Sequence, residues 1–268
     1  KGSDIEVKAG TGAIGIGVGV GYAGIINKGA TDVDITDSTI KGTENVAVSA
    51  LDESKHKAQI LNVGVSSVNA TTTFASVENK NNVGVSLDGT NNISAAKNIT
   101  IDAKKANALE AHTQGVGVGG VNVTVNHATI EDGEKDDKEN IGKGNAVAKI
   151  TGTNGTFKAD SFHFGATNDT TAKLSAGNVA VSIIGVSRMR GKGVMDMGAV
   201  VDVAGGSFNA KNVEFTSLLG SANGRTLEGN VKGHNISVAA VAPDAVVLDT
   251  TVNGTVKVAN STFDTNTD

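Results

Sequence analysis

Apolar residues occupy every second position over many short stretches of this chain. Residues 45–49 read Asn-Val-Ala-Val-Ser, residues 98–101 read Asn-Ile-Thr-Ile, and residues 115–118 read Gly-Val-Gly-Val. A period of two places the apolar side chains on one face of a β-strand. Turn-forming Gly, Asn, Asp and Ser separate these stretches, and no helical apolar pattern extends over ten residues. The pattern therefore predicts an all-β chain whose strands bury their apolar face.

The strands belong to a recurring unit. In each copy a Ser/Thr-type turn and an apolar residue precede a strand whose first apolar position is Ile5, Val46, Ile99, Phe162 or Val213. The copies are thus 41, 53, 63 and 51 residues apart. Each unit also contains a Gly- and Val-rich alternating run and a further short strand. Repetition at a period of this kind indicates a stacked-repeat architecture.

A parallel β-helix, or β-solenoid, is the fold that this pattern favours. Parallel neighbours usually need long crossovers, which are missing here, but a coil that winds around an axis produces them directly. We expect two or three rungs in each unit, hence one continuous solenoid over residues 1–268 with about 10–15 rungs, right-handed by general preference. Two β-sandwiches or a β-propeller are the alternatives, although regular hairpin signals and aromatic signatures are lacking.

Composition narrows the functional classes. Among 268 residues there are 35 Gly, one Tyr, no Trp and no Cys, which excludes disulfide scaffolds and thiolate metal sites. The formal net charge of −5 gives no reason to expect a nucleic-acid partner. No run of 18 apolar residues is present, so a membrane-spanning segment is not expected.

The longest unit contains an acidic segment at residues 131–140, which we expect to be a loop that projects from the solenoid. Its Asp132, Asp136 and Asp137 are the calcium ligands that the chain would offer, because hard cations take carboxylate oxygens. The segment lacks EF-hand spacing and contains Lys, so a solvated loop is the simpler interpretation. No metal or other cofactor is otherwise expected.

One dense basic cluster, formed by Arg188, Arg190 and Lys192, is a candidate contact for an acidic glycan or a neighbouring chain. A solvated turn is the alternative. No catalytic residues are expected: Asp32, Asp34 and Asp37 alternate as in sugar-cleaving enzymes, but the chain lacks the aromatic rings on which such enzymes stack sugars.

The Asn residues at positions 45, 98 and 212 occupy the same place in the repeat. If the rungs align there, their amides are expected to stack in a ladder. The alternative is that each Asn simply tolerates a turn conformation.

The repeats resemble those of large bacterial filamentous adhesins. The resemblance rests on Asn-Val-Ala-Val-Ser-Ala at 45–50, Gly-Asn-Val-Ala-Val-Ser at 177–182 and Gly-Ser-Phe-Asn-Ala at 206–210. The most similar group is the leukotoxin-like filamentous adhesins, within the filamentous-hemagglutinin-like and autotransporter passengers. The resemblance implies a type V secreted passenger: a long β-helical stalk that an outer-membrane transporter exports to the cell surface or the medium.

The expected function is that of a non-catalytic stalk or adhesion segment, which acts as a stiff spacer and presents loops to a host-cell or bacterial surface protein or glycan. A β-helical polysaccharide lyase or glycosidase and a segment of a secreted toxin are the alternatives. Both ends of the chain cut through a repeat. We therefore expect further rungs on both sides, or end-to-end stacking of the rod.

Overall fold

The computed structural model describes residues 4–133, 145–151, 154–220 and 227–265. Of these residues, 85% lie in strands and none in a helix, which confirms the all-β prediction. The strands, numbered in chain order, are β1 (Ile5–Asn27), β2 (Ala30–Thr36), β3 (Thr39–Lys41), β4 (Asn45–Asp52), β5 (Lys55–Asn79), β6 (Asn82–Asp88), β7 (Asn92–Ser94), β8 (Asn98–Lys105), β9 (Ala108–Asp132), β10 (Ala146–Ile150), β11 (Thr156–Asn168), β12 (Thr171–Ala204), β13 (Ser207–Leu219), β14 (Leu227–Val241), β15 (Asp244–Ala259) and β16 (Thr262–Asp264).

Every strand pairing among the described residues is parallel and joins equivalent positions of consecutive units. Val46 pairs with Ile99, Ile99 with Phe162, and Phe162 with Val213, so these four predicted repeat positions are confirmed. The position assigned to Ile5 is wrong, because Ile5 pairs with His56. It lies on a different strand of the unit from Val46. The resulting long parallel sheets are compatible with a β-solenoid.

Each unit forms a single layer, not two or three. The long strands stack in the order β1, β5, β9, β12, with β14 and β15 both beyond β12. The described chain therefore has five layers and a height of about 20 Å at a spacing of about 4.8 Å, so the expected 10–15 rungs are wrong. The difference arises because strands of up to 34 residues replace the short strands expected from the frequent small residues.

The long strand of each layer bends and returns on itself. The bend lies at Gly15 in β1, Ser66 and Ser67 in β5, and Gly119 and Gly120 in β9. Side chains before and after the bend face one another across the interior; Asn69, for example, lies against Gly64. We call the segments before the bend the first arm (5–14, 55–65, 108–118, 171–181, 227–236) and those after it the second arm (16–27, 68–79, 121–132, 184–195, 239–249).

Two apolar cores lie inside the layers. One lies between the two arms and includes Ile60, Val77, Leu109 and Ile130, all almost fully buried. The other lies between the short strands that follow the arms, with Leu87, Ile99 and a set of Phe side chains. Within it Phe157 stacks on Phe208 with ring centroids 5.0 Å apart, and Phe208 stacks on Phe263 at 5.3 Å. Equivalent residues therefore pack on one another from layer to layer.

The predicted asparagine ladder is present in part. The Asn98 amide donates to the Asn45 carbonyl oxygen at 2.8 Å across adjacent layers. Asn212 does not extend this ladder, because Ser161 occupies the equivalent position in the layer between Asn98 and Asn212.

A buried polar seam separates the two cores. Lys105 and Asp132 are fully buried, and the Lys105 Nζ lies 2.9 Å from the Asp132 Oδ1. The same carboxylate oxygen accepts a 2.7 Å hydrogen bond from Asn79. Asn107 donates to both Asn81 and Asp52 in the neighbouring part of the seam. Because burial of charge is costly, the pairing of Lys105 with Asp132 is a condition for this packing.

The bend at Gly119 is expected to tolerate no side chain. A Cβ on Gly119 would overlap the carbonyl oxygen of Ser66 in the adjacent layer, whereas a Cβ on Gly177 would meet only ordinary contacts at 3.8 Å and 3.9 Å. Gly119→Ala should therefore lower the free energy of unfolding by about 1–3 kcal/mol, as overpacking does, in denaturant titration. Gly177→Ala is the control. Equal stability of the two variants would contradict this account of the bend.

The seam predicts a strong contrast between two lysines. Lys105→Met leaves Asp132 buried without its cation and should lower the free energy of unfolding by about 3–5 kcal/mol. Lys97 forms an exposed pair with Glu44 at 3.1 Å, so Lys97→Met should cost less than about 1 kcal/mol. Thermal or urea unfolding measures both. A loss for Lys105→Met no greater than that for Lys97→Met would show that the seam is not a buried ion pair.

Candidate binding surface

The predicted basic cluster lies on a strand, not in a turn. Arg188, Arg190 and Lys192 alternate along β12, and all three are exposed on the outer face of the second arm. None of them forms an ion pair with the described residues, whereas Lys8 and Lys57 on the first arm both do. The structure therefore brings three unpaired cations into one line, about 7 Å apart for each second residue of a strand.

A column of aromatic and cationic side chains crosses the layers at the centre of this cluster. In-register pairing places Tyr22, Phe74, His127 and Arg190 in successive layers. The rings of Phe74 and His127 meet edge to face with centroids 5.1 Å apart. Burial, and after it the charges of Arg190 and Arg188, lowers the pKa of His127 below its ordinary value. The imidazole is therefore neutral at pH 7, and the positive charge comes from β12.

An open depression of about 380 Å³ lies beside this column. Its lining consists of His127, Thr129, Arg190, Lys192 and Val247. Two cations and a hydroxyl can hold an anionic group such as a phosphate or carboxylate.

A wide apolar surface adjoins the cluster at the bend of the arms. Most outward side chains close to the bend are aliphatic, every layer contributes at least one, and we call this surface the apolar tip. Its exposed members are Ile14, Ile16, Val18, Val20, Val63, Val65, Val68, Val118, Val179, Val181, Ile183, Ile184, Val186, Ile236, Val238 and Val241. Contiguous apolar patches of this extent mark interaction surfaces.

Polar side chains fill the interior behind the apolar tip. Asn69, Thr73, Asn122 and Asn126 are buried there. Asn69 donates to Asn122 at 2.9 Å, and Thr73 donates to Asn126 at 2.6 Å, so these side chains form ladders between layers. The sequence prediction that alternating apolar residues face inward is therefore wrong at the tip. The signal that could have revealed this is the Asn and Thr on the opposite face of the same runs.

Of the three candidate calcium ligands in the acidic segment, the structure describes only Asp132. Glu131 and Asp132 end strand β9 and do not begin a loop. Asp132 is buried and engaged by Lys105 and Asn79. Asp136 and Asp137 lie outside the described residues. No group of three or more His, Asp or Glu in the described ranges is arranged to hold a metal ion.

The acidic residues of the first layer have separate roles. Asp32 and Asp34 lie on the exposed face of β2, and partial desolvation together with the Asp34 charge raises the pKa of Asp32. Asp37 instead accepts a 2.7 Å hydrogen bond from the backbone N–H of Thr90 in the adjacent layer. Asp37 is therefore a turn residue, and the three carboxylates do not act as a set.

The described part of the chain contains no helix long and apolar enough to cross a membrane. A scan against models of protein families, a search of curated proteins and a search of solved structures each return no match to this chain. The function must therefore be argued from the geometry.

Proposed function

We propose that this chain is a non-catalytic structural and adhesive segment of a large bacterial cell-surface or secreted adhesin, wound as a right-handed β-solenoid. The observation that carries the proposal is the in-register stacking of equivalent residues through all five layers. Such stacking continues indefinitely when units are added, which is the property that a stiff spacer needs. Export through an outer-membrane transporter belongs to the same proposal.

Side-chain ladders on the outer surface support a spacer role. Glu6, Lys57 and Glu110 follow one another in successive layers, with Lys57 Nζ 3.8 Å from Glu6 and 3.7 Å from Glu110. Each exposed pair contributes little, but alternating charges avoid the repulsion that identical stacked charges would produce. The sequence varies where stacking of identical residues would be unfavourable.

The ends of the stack support assembly into a longer rod. In the described chain β1 pairs along one edge with β5 and has no strand along its other edge. In the same way, β14 and β15 pair only with β12. Their outer edges present unpaired backbone groups, which readily add another strand. End-to-end stacking of layers, from more units or from another copy, is therefore part of the proposal.

Adhesion would use the outward surfaces of the layers. Arg188, Arg190 and Lys192 form the contact that we propose for an acidic glycan or surface protein of a host or bacterial cell, since they are exposed and unpaired. The open depression beside Arg190 and Lys192 has room for one anionic sugar group.

A second candidate, a polysaccharide-active enzyme, is favoured by one observation. The raised pKa of Asp32 beside Asp34 is a property that glycosidases give to their general acid. The adhesive role remains our proposal because Asp32 and Asp34 are neighbours on the same strand face. Inverting and retaining enzymes instead place their carboxyl groups on opposite sides of a bound sugar.

Bead adhesion tests the proposal. Beads coated with the chain should remain on glycan-bearing cell monolayers under flow. Replacement of Arg188, Arg190 and Lys192 by Gln should reduce retention severalfold, because the contact is electrostatic. Replacement of the exposed Lys8, Lys41 and Lys211 by Gln removes the same charge elsewhere and should leave retention unchanged.

A turnover assay with the same preparations supplies the contrary outcome. Release of sugar products from any polysaccharide by the chain, lost in Asp32→Asn, would overturn the non-catalytic role. Equal retention of all three bead preparations would exclude the basic cluster as the adhesive contact.

A further inference from the structure

The apolar tip is the largest feature of the molecule that the proposed function does not use. Val65 is 56% exposed and Ile183 is 63% exposed, in the second and fourth of the five layers, where both neighbouring layers are present. Together the sixteen side chains of the tip expose on the order of 1,000 Å² of apolar surface, more than the few hundred Å² usual for a monomeric soluble protein. Because exposure of so much apolar surface to water is unfavourable, a surface of this size tends to bind an apolar partner.

The tip cannot bury these side chains by itself. Its interior is already occupied by Asn and Thr side chains that are hydrogen-bonded between layers, such as Asn69 with Asn122 and Thr73 with Asn126. Exchange of the two faces would require a one-residue slip of every strand in the stack. The tip therefore has polar groups inside and apolar groups outside, which is the arrangement suited to an apolar surrounding.

The size of the tip matches one leaflet of a bilayer. On the second arm its longest segment extends from the bend at Gly15 to Val20 in β1, whereas in β12 it ends at Val186. Five strand residues span about 16 Å, and half of the hydrocarbon core of a bilayer is about 15 Å thick. The tip is too short to cross a bilayer but long enough to enter it from one side.

The border of the tip has the composition of a membrane interface. On the second arm Arg188 lies in the same column as Val20, the next column carries Tyr22, Phe74 and Arg190, and Lys192 lies one column further from the bend. On the first arm the exposed Lys232 lies two columns beyond Ile236. Aromatic rings favour the headgroup level, and basic side chains bind anionic lipids.

We propose that the apolar tip inserts into one leaflet of a lipid bilayer with anionic headgroups, and that Arg188, Arg190, Lys192 and Lys232 bind the headgroups. Charge decides between this partner and a second copy of the chain. Apposed tips of two copies would bring two sets of unpaired cations to one border, whereas an anionic surface neutralises them. The inference goes beyond the adhesive role, because its partner is the lipid itself and not a glycan or a protein on the cell surface.

Vesicle co-sedimentation tests the insertion. The chain should bind vesicles of phosphatidylcholine with 30% phosphatidylglycerol, and binding should weaken with salt and be at least about tenfold weaker to phosphatidylcholine alone. Val181→Asn with Ile184→Asn removes two apolar groups of the tip and should reduce binding about tenfold. Leu218→Asn is the matched control, because Leu218 is 57% exposed on a strand that follows the arms.

A fluorescence measurement keeps the test independent of the stability of the Asn variant. The chain contains no Trp, so Val65→Trp introduces a single reporter on the tip, and Leu218→Trp introduces one elsewhere. Anionic vesicles should shift the emission of the first reporter to the blue, brominated acyl chains should quench it, and neither should change the second.

Two results would overturn the proposal. One is the absence of binding to anionic vesicles at low salt, with no blue shift for Val65→Trp. The other is a dimer in analytical ultracentrifugation that Val181→Asn with Ile184→Asn converts to a monomer, again without vesicle binding. The second result would assign the tip to a second copy of the chain. Either would leave the bead-adhesion result for the proposed function unaffected.

Discussion

Backbone hydrogen bonds between equivalent residues of consecutive layers determine what each side chain in this molecule touches. Because every long strand pairs with its counterpart one unit away, a residue meets the residue at the same place in the next unit. Favourable self-contacts are thus repeated, as in the stack of Phe157, Phe208 and Phe263, and unfavourable ones must be avoided. The alternation of Glu6, Lys57 and Glu110 follows from the same rule. Fold and surface chemistry are in this way set by one register.

The same register makes surfaces out of single positions. One exposed Val in a strand is unremarkable in a soluble protein, but its repetition through five layers produces a continuous apolar face. The interior behind that face is polar and ordered by ladders such as Asn69 with Asn122. At the seam between the cores, by contrast, Lys105 and Asp132 come from the ends of different strands and meet once. The molecule therefore combines repeated surface features with a buried ion pair that belongs to particular layers.

The all-β class, the parallel stacking and the repeat positions at 46, 99, 162 and 213 could be predicted from the sequence, since a period of two is directly visible. The layer size was not predicted, because the bend leaves only a one-residue change of phase, at Ser67 and Val68, in the alternation of β5. The polarity of the tip was not predicted from the sequence either. Alternation indicates that a strand has two different faces but does not say which one is inside. The usual assumption, that the apolar face is inside, fails at the tip because Asn and Thr fill the interior there. The cluster of Arg188, Arg190 and Lys192 was visible as charge, but its aromatic neighbours Tyr22 and Phe74 come from other units.

Disulfide cross-linking tests the central claim, which is one layer for each repeat unit. The chain has no Cys, so introduced pairs report without background. Lys158 and Asn209 pair directly in adjacent layers, at a distance that a disulfide can bridge. Lys158→Cys with Asn209→Cys should oxidise completely in the folded chain. Lys158→Cys with Val181→Cys should not oxidise. If each unit contained two or three rungs, this second pair would lie in adjacent rungs and would oxidise instead. Oxidation of the second pair and not of the first would contradict the register on which the fold, the proposed stalk and the apolar tip all depend.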